Sequence, residues 1–527
     1  MKTSLKIITA IIFVLMLNQT TAQLNIPNVQ SYNYAVYKLF LKDSNSHYAS
    51  THISFKPISD LKYEPSSIYI DEGKYYYWIT QKLFKEHFLV FKGSDFWCAV
   101  DPVVYLETGK DFSTNHQSLR FWNTRGIRVQ AKFFKNFGFE TVIYETQANL
   151  LNYQMNYVNA HGEYLVTNNG YKQDNAIIPG YARTKPFGSE GYDFAFASGY
   201  FSYHPANWLN IQAGNGNHFI GNGHRSILLS DFTVNYPYFK PEILLFNKRL
   251  QYTVVYASFQ NLYRLPFHLT PEANYEKKLG VSHYAEFSIA KQFQIGFFES
   301  NTWVTTDSLG TKPFNYLALN PIIGNSLLKG GGTPGRYNSI FGINLTYSLK
   351  SSILYSQLLF DNVRIDGIQV GLSSFDVVIP ELNVQLEYNM VGKNAYLANN
   401  KRANYSHSNL PLAHPLGNNF QEILGIVNYQ RQRVFANFTT IYSLRNPSEI
   451  DVEHATLLYP TGVVLPYDAV NVWNNTLEIG YRFNQKYNLE AYLGFMNRIS
   501  TQTNTANKTN FAYFGIRTKL TNKTLDW

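Results

Sequence analysis

The stretch GNGNHFIGNGHRSILLSD, residues 214–231, holds four glycines, two histidines and an arginine in eighteen positions. Glycines beside a basic residue can cradle a phosphate on backbone N–H groups. A histidine close to Ser226 could activate a nucleophile. Imidazole and guanidinium groups in a polar loop can instead hold a ligand by hydrogen bonds and charge. Spacing argues against the first chemistry: no Lys-Ser or Lys-Thr pair follows Gly221, and no helical pattern clearly follows Gly214 and Gly216. The second lacks a third member, because no Ser, His and carboxylate set can be assembled from the sequence. No catalytic residue is therefore expected, and His218, His224 and Arg225 stand as ligand-contact candidates.

A second stretch, VGKNAYLANNKRANYSHSNLPLAHPLGNNF at 391–420, is basic and contains no Asp or Glu. Sugars are held by stacking C–H faces on aromatic rings and by hydrogen-bonding hydroxyls to Asn, Arg and His; acidic glycans add charge to Arg and Lys. Lys401, Arg402, Tyr405, His407, His414 and Asn419 supply those groups. The bland alternative is a loop that packs on its neighbours at a rim. His407 and His414 are seven apart with no nearby carboxylate, whereas zinc draws three or four ligands at tighter spacing, so no metal is expected. Calcium on Asp361 and loop carbonyls has no supporting pattern, and nothing calls for a cofactor.

These stretches need elements to position them. Charged residues are only 15% of the chain, Phe, Trp and Tyr 16%, and mean hydropathy is −0.24. The surface implied does not face water alone, yet no run of 18 apolar residues follows the N-terminus, which excludes a helical membrane span. Lys2 and Lys6, the run Ile7–Leu17 and the small residues ending at Ala22 read as a signal peptide over 1–22. Cys98 is the only cysteine, so no intramolecular disulfide can form.

TLEIGYRF, 476–483, places Leu477, Ile479, Tyr481 and Phe483 on one face and Glu478 and Arg482 on the other. The same period of two recurs in FGINLTYSL (341–349) and LNVQLEYN (382–389), the pattern of a sheet with one apolar and one polar side. Short turns near 135–138, 204–207, 247–249, 290–292, 350–352, 376–380, 430–433 and 484–487 separate mostly long connections at 148–191, 215–240, 260–277, 301–337, 391–420, 443–473 and 499–509. Short periplasmic turns alternating with long outer loops build outer-membrane barrels. The expected fold is all-β: an antiparallel transmembrane barrel of about eighteen strands over 96–527. The terminal Trp527 resembles an assembly signal. Residues 23–95, with helices near 32–41 and 78–93 and Gly93 as a helix terminator, would form a periplasmic cap or fill the lumen. Arg128, Gln130, Lys132, Asn344, Gln357, Asn383, Gln385, Glu387, Glu478, Arg482 and Glu490 would line the lumen, as pore wall or as a sealing network.

Residues 214–231 then fall in an outer loop, and their glycines read most simply as positive-φ turns in a loop folding back into the barrel mouth. Here a resemblance enters. FIGNGHRSILLSD followed by YPYF, NPII (320–323), YSQLLFD (355–361) and NYSHSNLPLAHPLGNNFQE (404–422) resemble the RemB family of gliding-motility proteins of the Bacteroidetes. More distantly they are similar to the Wzi family of capsule-assembly outer-membrane proteins. The segment between Asp361 and Glu381 is shorter than that pattern leads one to expect. The resemblance implies an eighteen-strand barrel with a helical N-terminal part and a surface role in motility or polysaccharide. Together with the formal charge of +9, the expected partners are outer-membrane lipid, surface polysaccharide or lipopolysaccharide, and motility or secretion proteins, with no nucleic acid. The alternative is a porin-like or gated transporter of small solutes.

Overall fold

The computed structural model describes residues 22–43, 52–59, 74–113, 119–167, 170–174, 176–188, 190–264, 275–307, 310–311, 319–324, 337–361, 364–446, 469–503, 505–522 and 525–526. The signal-peptide reading at 1–21 and the assembly-signal reading at Trp527 fall outside them.

Eighteen antiparallel strands close into one barrel. They are β1 Phe96–Asp111, β2 Arg120–Phe133, β3 Phe137–Asn149, β4 Gly191–Ala206, β5 Leu209–Gly216 and β6 Tyr236–Leu245. β7 Leu250–Arg264, β8 Tyr275–Ala290, β9 Phe293–Val304, β10 Tyr337–Ser348, β11 Ser352–Asp361 and β12 Arg364–Ser374 follow. β13 Leu382–Val391, β14 Phe420–Arg431, β15 Val434–Arg445, β16 Val470–Asn484, β17 Leu489–Gln502 and β18 Thr505–Thr518 complete the wall. β18 returns to β1 through the register Phe511↔Asp111 to Arg517↔Tyr105. Closure removes both sheet edges, so the backbone groups of the wall are paired without water, the condition for crossing a bilayer.

Side chains follow the expected alternation. On β16, Leu477, Ile479 and Tyr481 are 42%, 51% and 40% exposed, while Arg482 between them and the turn is buried. Large apolar side chains are exposed around the wall, among them Ile143, Phe201, Phe239, Phe297, Leu386, Leu493 and Phe514. Such a continuous outer surface suits hydrocarbon rather than water.

All eight short turns fall where the sequence placed them. The outer connections differ in three places, the first being that none was expected between Asp111 of β1 and Arg120 of β2. β11 and β12 stay paired as far as Asp361↔Arg364, which accounts for the short segment after Asp361. The long connection expected at 499–509 is instead strand, with Gln502 paired to Thr505. Its outer half, Thr505–Lys508, is exposed on both faces and therefore carries no apolar alternation.

The N-terminal segment divides. Helix α1, Gln30–Asp43, lies in the lumen. It buries Tyr32, Tyr34, Val36, Tyr37 and Phe40 against Ile353, Tyr355 and Phe375 of the wall. Tyr34 donates to Gln385 at 2.8 Å, and Lys38 reaches Asp376 and Glu381 of the β12–β13 turn at 3.0 and 2.8 Å. Phe55–Lys56 pair with Phe219–Ile220 inside the barrel. Helix α2, Trp78–Phe84, sits at the short-turn rim and ends nine residues before Gly93, the expected terminator. Phe88 N–H donates to Asp101 and His87 lies 2.7 Å from the same carboxylate. Those contacts turn the chain into the strand Leu89–Lys92, paired with Trp97–Val100. Gly93 belongs to that hairpin, its N–H donating to Phe96. After β18 the chain turns inward, and Leu520, Leu525 and Asp526 lie within the lumen.

Candidate functional site

The glycine-rich loop 217–235 does not stand out from the surface. It descends into the lumen, where side chains of the wall pair with backbone groups at its turn, from Ile220 to Ile227. Gln357 on β11 donates to Ile220 O (2.8 Å) and accepts from Ile227 N–H (2.9 Å) and the Ser226 hydroxyl (3.2 Å). Glu387 on β13 accepts from the N–H groups of His224 and Arg225 at 2.8 and 3.1 Å and from Tyr355 at 2.8 Å. Gln369 on β12 donates to Arg225 O at 2.9 Å. Such buried polar pairs favour one conformation of the loop.

Two glycines are dictated by this approach. Gly221 has φ +119°, and a Cβ there would lie 2.3 Å from Gln357 Nε2. At Gly223 a Cβ would lie 2.5 Å from Glu387 Oε2. Gly214 and Gly216 are in β5, so only Gly221 serves the positive-φ role expected of the four.

Arg225 is the charged centre of the loop. Its Nη2 meets Asp526 Oδ1 at 2.9 Å and its Nε stands 3.6 Å from Glu422 Oε2. His414 Nε2 touches the same Glu422 oxygen at 2.8 Å. Strand β14 and the C-terminal tail thus meet on one guanidinium, with His414 of loop 392–419 backing the shared Glu422. Asp526 and the carboxylates on the wall raise the Arg225 pKa against the cost of its burial.

Loop 392–419 closes over this arrangement. Tyr396 donates to Ile227 O (2.6 Å), Ser230 N–H to Leu412 O (2.8 Å) and Thr233 to His407 O (3.0 Å). Gln260 N–H on β7 donates to His407 Nδ1 at 3.0 Å, and Lys278 on β8 donates to Asn404 O and Ser406 O. Ile227, Leu228, Leu229 and Phe232 pack with Tyr396, Tyr405, Leu410 and Leu412 in one apolar cluster.

The nine candidates therefore separate. His218, Arg225, Tyr405, His407 and His414 are all at most 4% exposed, so they do not present themselves to a surface glycan. Composition could not separate them from surface residues, since a polar residue buried among partners has the same identity as one in water. Burial drives the His407 pKa down to about 3, with Lys278 adding to the effect, and that of His224 to about 4, with Arg225 adding. Burial also lowers His218 and His414. Asn419 is half-buried and donates to Asn446 O. Lys401 is exposed, and Arg402, half-buried, meets Glu276 at 3.2 Å. Lys393, Asn394 and Asn399 are exposed beside them. Lys393, Asn394, Asn399 and Lys401 form the basic outer face of the loop, with Arg402 half-buried beside them.

Sequence reasoning missed a cavity of about 290 Å³ beside the tail. Arg120, Trp122, Tyr181, His224, Arg517 and Asp526 are among its walls. Its residues come from strands far apart in the chain, and no local spacing announces it. Ser226 is fully buried; its oxygen accepts the N–H groups of Leu228 and Leu229 while its proton goes to Gln357. That is a turn-forming serine, not a hydroxyl poised for attack.

The fold is similar to solved outer-membrane barrels. An Escherichia coli protein, Wzi, described as an outer membrane protein involved in group 1 capsule assembly and a carbohydrate-binding β-barrel, aligns with TM-score 0.54 at 12% identity over 93% of this chain and 98% of that one. Pseudomonas aeruginosa OpdQ gives TM-score 0.39 at 7% identity, covering 80% of this chain and 95% of that one. A BenF-like porin from Pseudomonas fluorescens Pf-5 gives 0.42 at 9%, covering 80% and 97%. At these identities the likeness is one of fold, and the two looser matches carry no argument. No protein-family model matches the chain, and no curated protein matches it by sequence.

Proposed function

We propose that this chain is a non-enzymatic outer-membrane scaffold with a sealed lumen. Its cell-facing loop 392–419 holds an acidic surface polysaccharide, in capsule attachment or in gliding motility. The observation that carries this reading is the interlock of loop 217–235 with loop 392–419, which buries one face of the second loop and leaves Lys393, Lys401 and Arg402 on the other. A rigid backing holds the cations in place before a ligand arrives, which lowers the ordering cost of binding. Capsule assembly takes support from the Wzi-like fold; motility rests on the sequence resemblance alone, most specifically the run at 404–422.

The test is binding of purified protein to an acidic polysaccharide against a Lys393→Ala/Lys401→Ala/Arg402→Ala variant. A Lys248→Ala/Lys350→Ala variant, altered at the opposite rim, serves as control. Roughly tenfold weaker binding in the first, a loss of about 1.4 kcal/mol, and none in the control supports the proposal. Equal binding by all three defeats it.

A second reading, a gated transporter of small solutes, is favoured by one observation: the cavity of about 290 Å³ is walled on one side by the tail. Movement of that tail would open it.

A further inference from the structure

Residues 74–92 are poorly accounted for by a watery periplasm. Tyr76, Tyr77, Trp78 and Ile79 are 82%, 75%, 58% and 49% exposed, and Leu83, Leu89 and Phe91 are exposed with them. Four lysines, at 74, 82, 85 and 92, stand against one acidic residue, Glu86.

The placement of this segment tells what faces it. Leu89–Lys92 pair with the short-turn end of β1, beyond the point where β18 leaves it, and so extend the barrel wall. α2 packs on the outside of the same rim. Phe84 meets Phe483 edge-on at 6.0 Å, and Phe483 contacts Tyr481 on the lipid-facing side of β16. Arg433 in the β14–β15 turn donates to Tyr75 Oη and Phe84 O. Asn484 donates to the carbonyls of Lys82 and Glu86, and Tyr487 donates to that of Lys82. The segment is thus fastened along the outer margin of the barrel, level with the strand ends and continuous with the apolar wall.

We propose that residues 74–92 form an interfacial anchor seated in the periplasmic leaflet, its ligand being anionic phospholipid. Tyrosine and tryptophan rings are amphipathic and settle at the headgroup level. Lysines extend their stems over apolar surface while their ammonium groups reach lipid phosphates, an attraction of about 1 kcal/mol for each in an anionic leaflet.

The test uses the full chain in lipid nanodiscs on a Cys98→Ser background, with a nitroxide label at Leu83→Cys, at Tyr77→Cys in a second variant, and at Val378→Cys in the exposed β12–β13 turn as reference. Collisional relaxation by oxygen and by a water-soluble nickel chelate is compared, after heat-modifiable migration has established that each variant is folded. The expected oxygen-to-nickel ratio at 83 and 77 is several-fold above that at 378, and rises when phosphatidylglycerol replaces part of the phosphatidylcholine. A Lys74→Glu/Lys85→Glu/Lys92→Glu variant should lose that rise. Ratios equal to that at 378 in both lipids would overturn the proposal, and a high ratio indifferent to phosphatidylglycerol would overturn its anionic preference.

Discussion

Arg225 and Asp526 meet at 2.9 Å inside the barrel although 301 positions separate them in the chain. One comes from a loop entering at the mouth and the other from the tail entering after the last strand. Breaking a buried pair by removing one partner costs about 3–5 kcal/mol, because the other charge stays buried without compensation. Arg225→Ala should therefore lower the denaturant midpoint in detergent strongly, since Glu422 and Asp526 both lose their cation. Asp526→Asn should cost less, its side chain being 27% exposed. Equal, small shifts in both variants would contradict the network.

Glycine substitutions separate close approach from mere loop composition. Gly221→Ala meets Gln357 and a positive φ, and Gly223→Ala meets Glu387. Each should destabilise by about 1–3 kcal/mol, the usual range for backbone strain or overpacking. Gly216→Ala finds its nearest neighbour, a Tyr238 ring carbon, at 3.5 Å, and should stay within about 0.5 kcal/mol. Thermal unfolding of the three variants decides it.

The buried histidines set a pH dependence. His407 has a folded pKa of about 3 against 6.5 unfolded, so between those values the unfolded chain binds the extra proton. Stability is then fully present above about pH 6.5 and falls as pH drops toward 3. Protection factors against hydrogen exchange in loop 392–419 should fall across that window, and less steeply in His407→Gln. An unchanged slope in the variant would show that His407 does not titrate with loop opening.

Much of the barrel was legible because lipid imposes a rule on each strand: Leu477, Ile479 and Tyr481 must be apolar whatever the lumen holds. Where both faces meet water, as at Thr505–Lys508, the rule lapses and strand reads as loop. The site was harder to read. His218 and His407 have surface-like identities, and their burial comes with Tyr236 and Gln260, partners that no spacing reveals. The tail escaped notice because Leu520 to Asp526 has no periodicity at all. Gly93 misled as a helix stop because Asp101, on the following strand, captures the chain before it.

Single-channel recording in a planar bilayer tests the sealed lumen most directly. Wild-type protein should be silent under applied voltage, while removal of loop 217–235 together with loop 393–418 and residues 519–527 should produce stepwise ionic current. Stable, large open-state steps from the unaltered chain would contradict a sealed scaffold and favour transport.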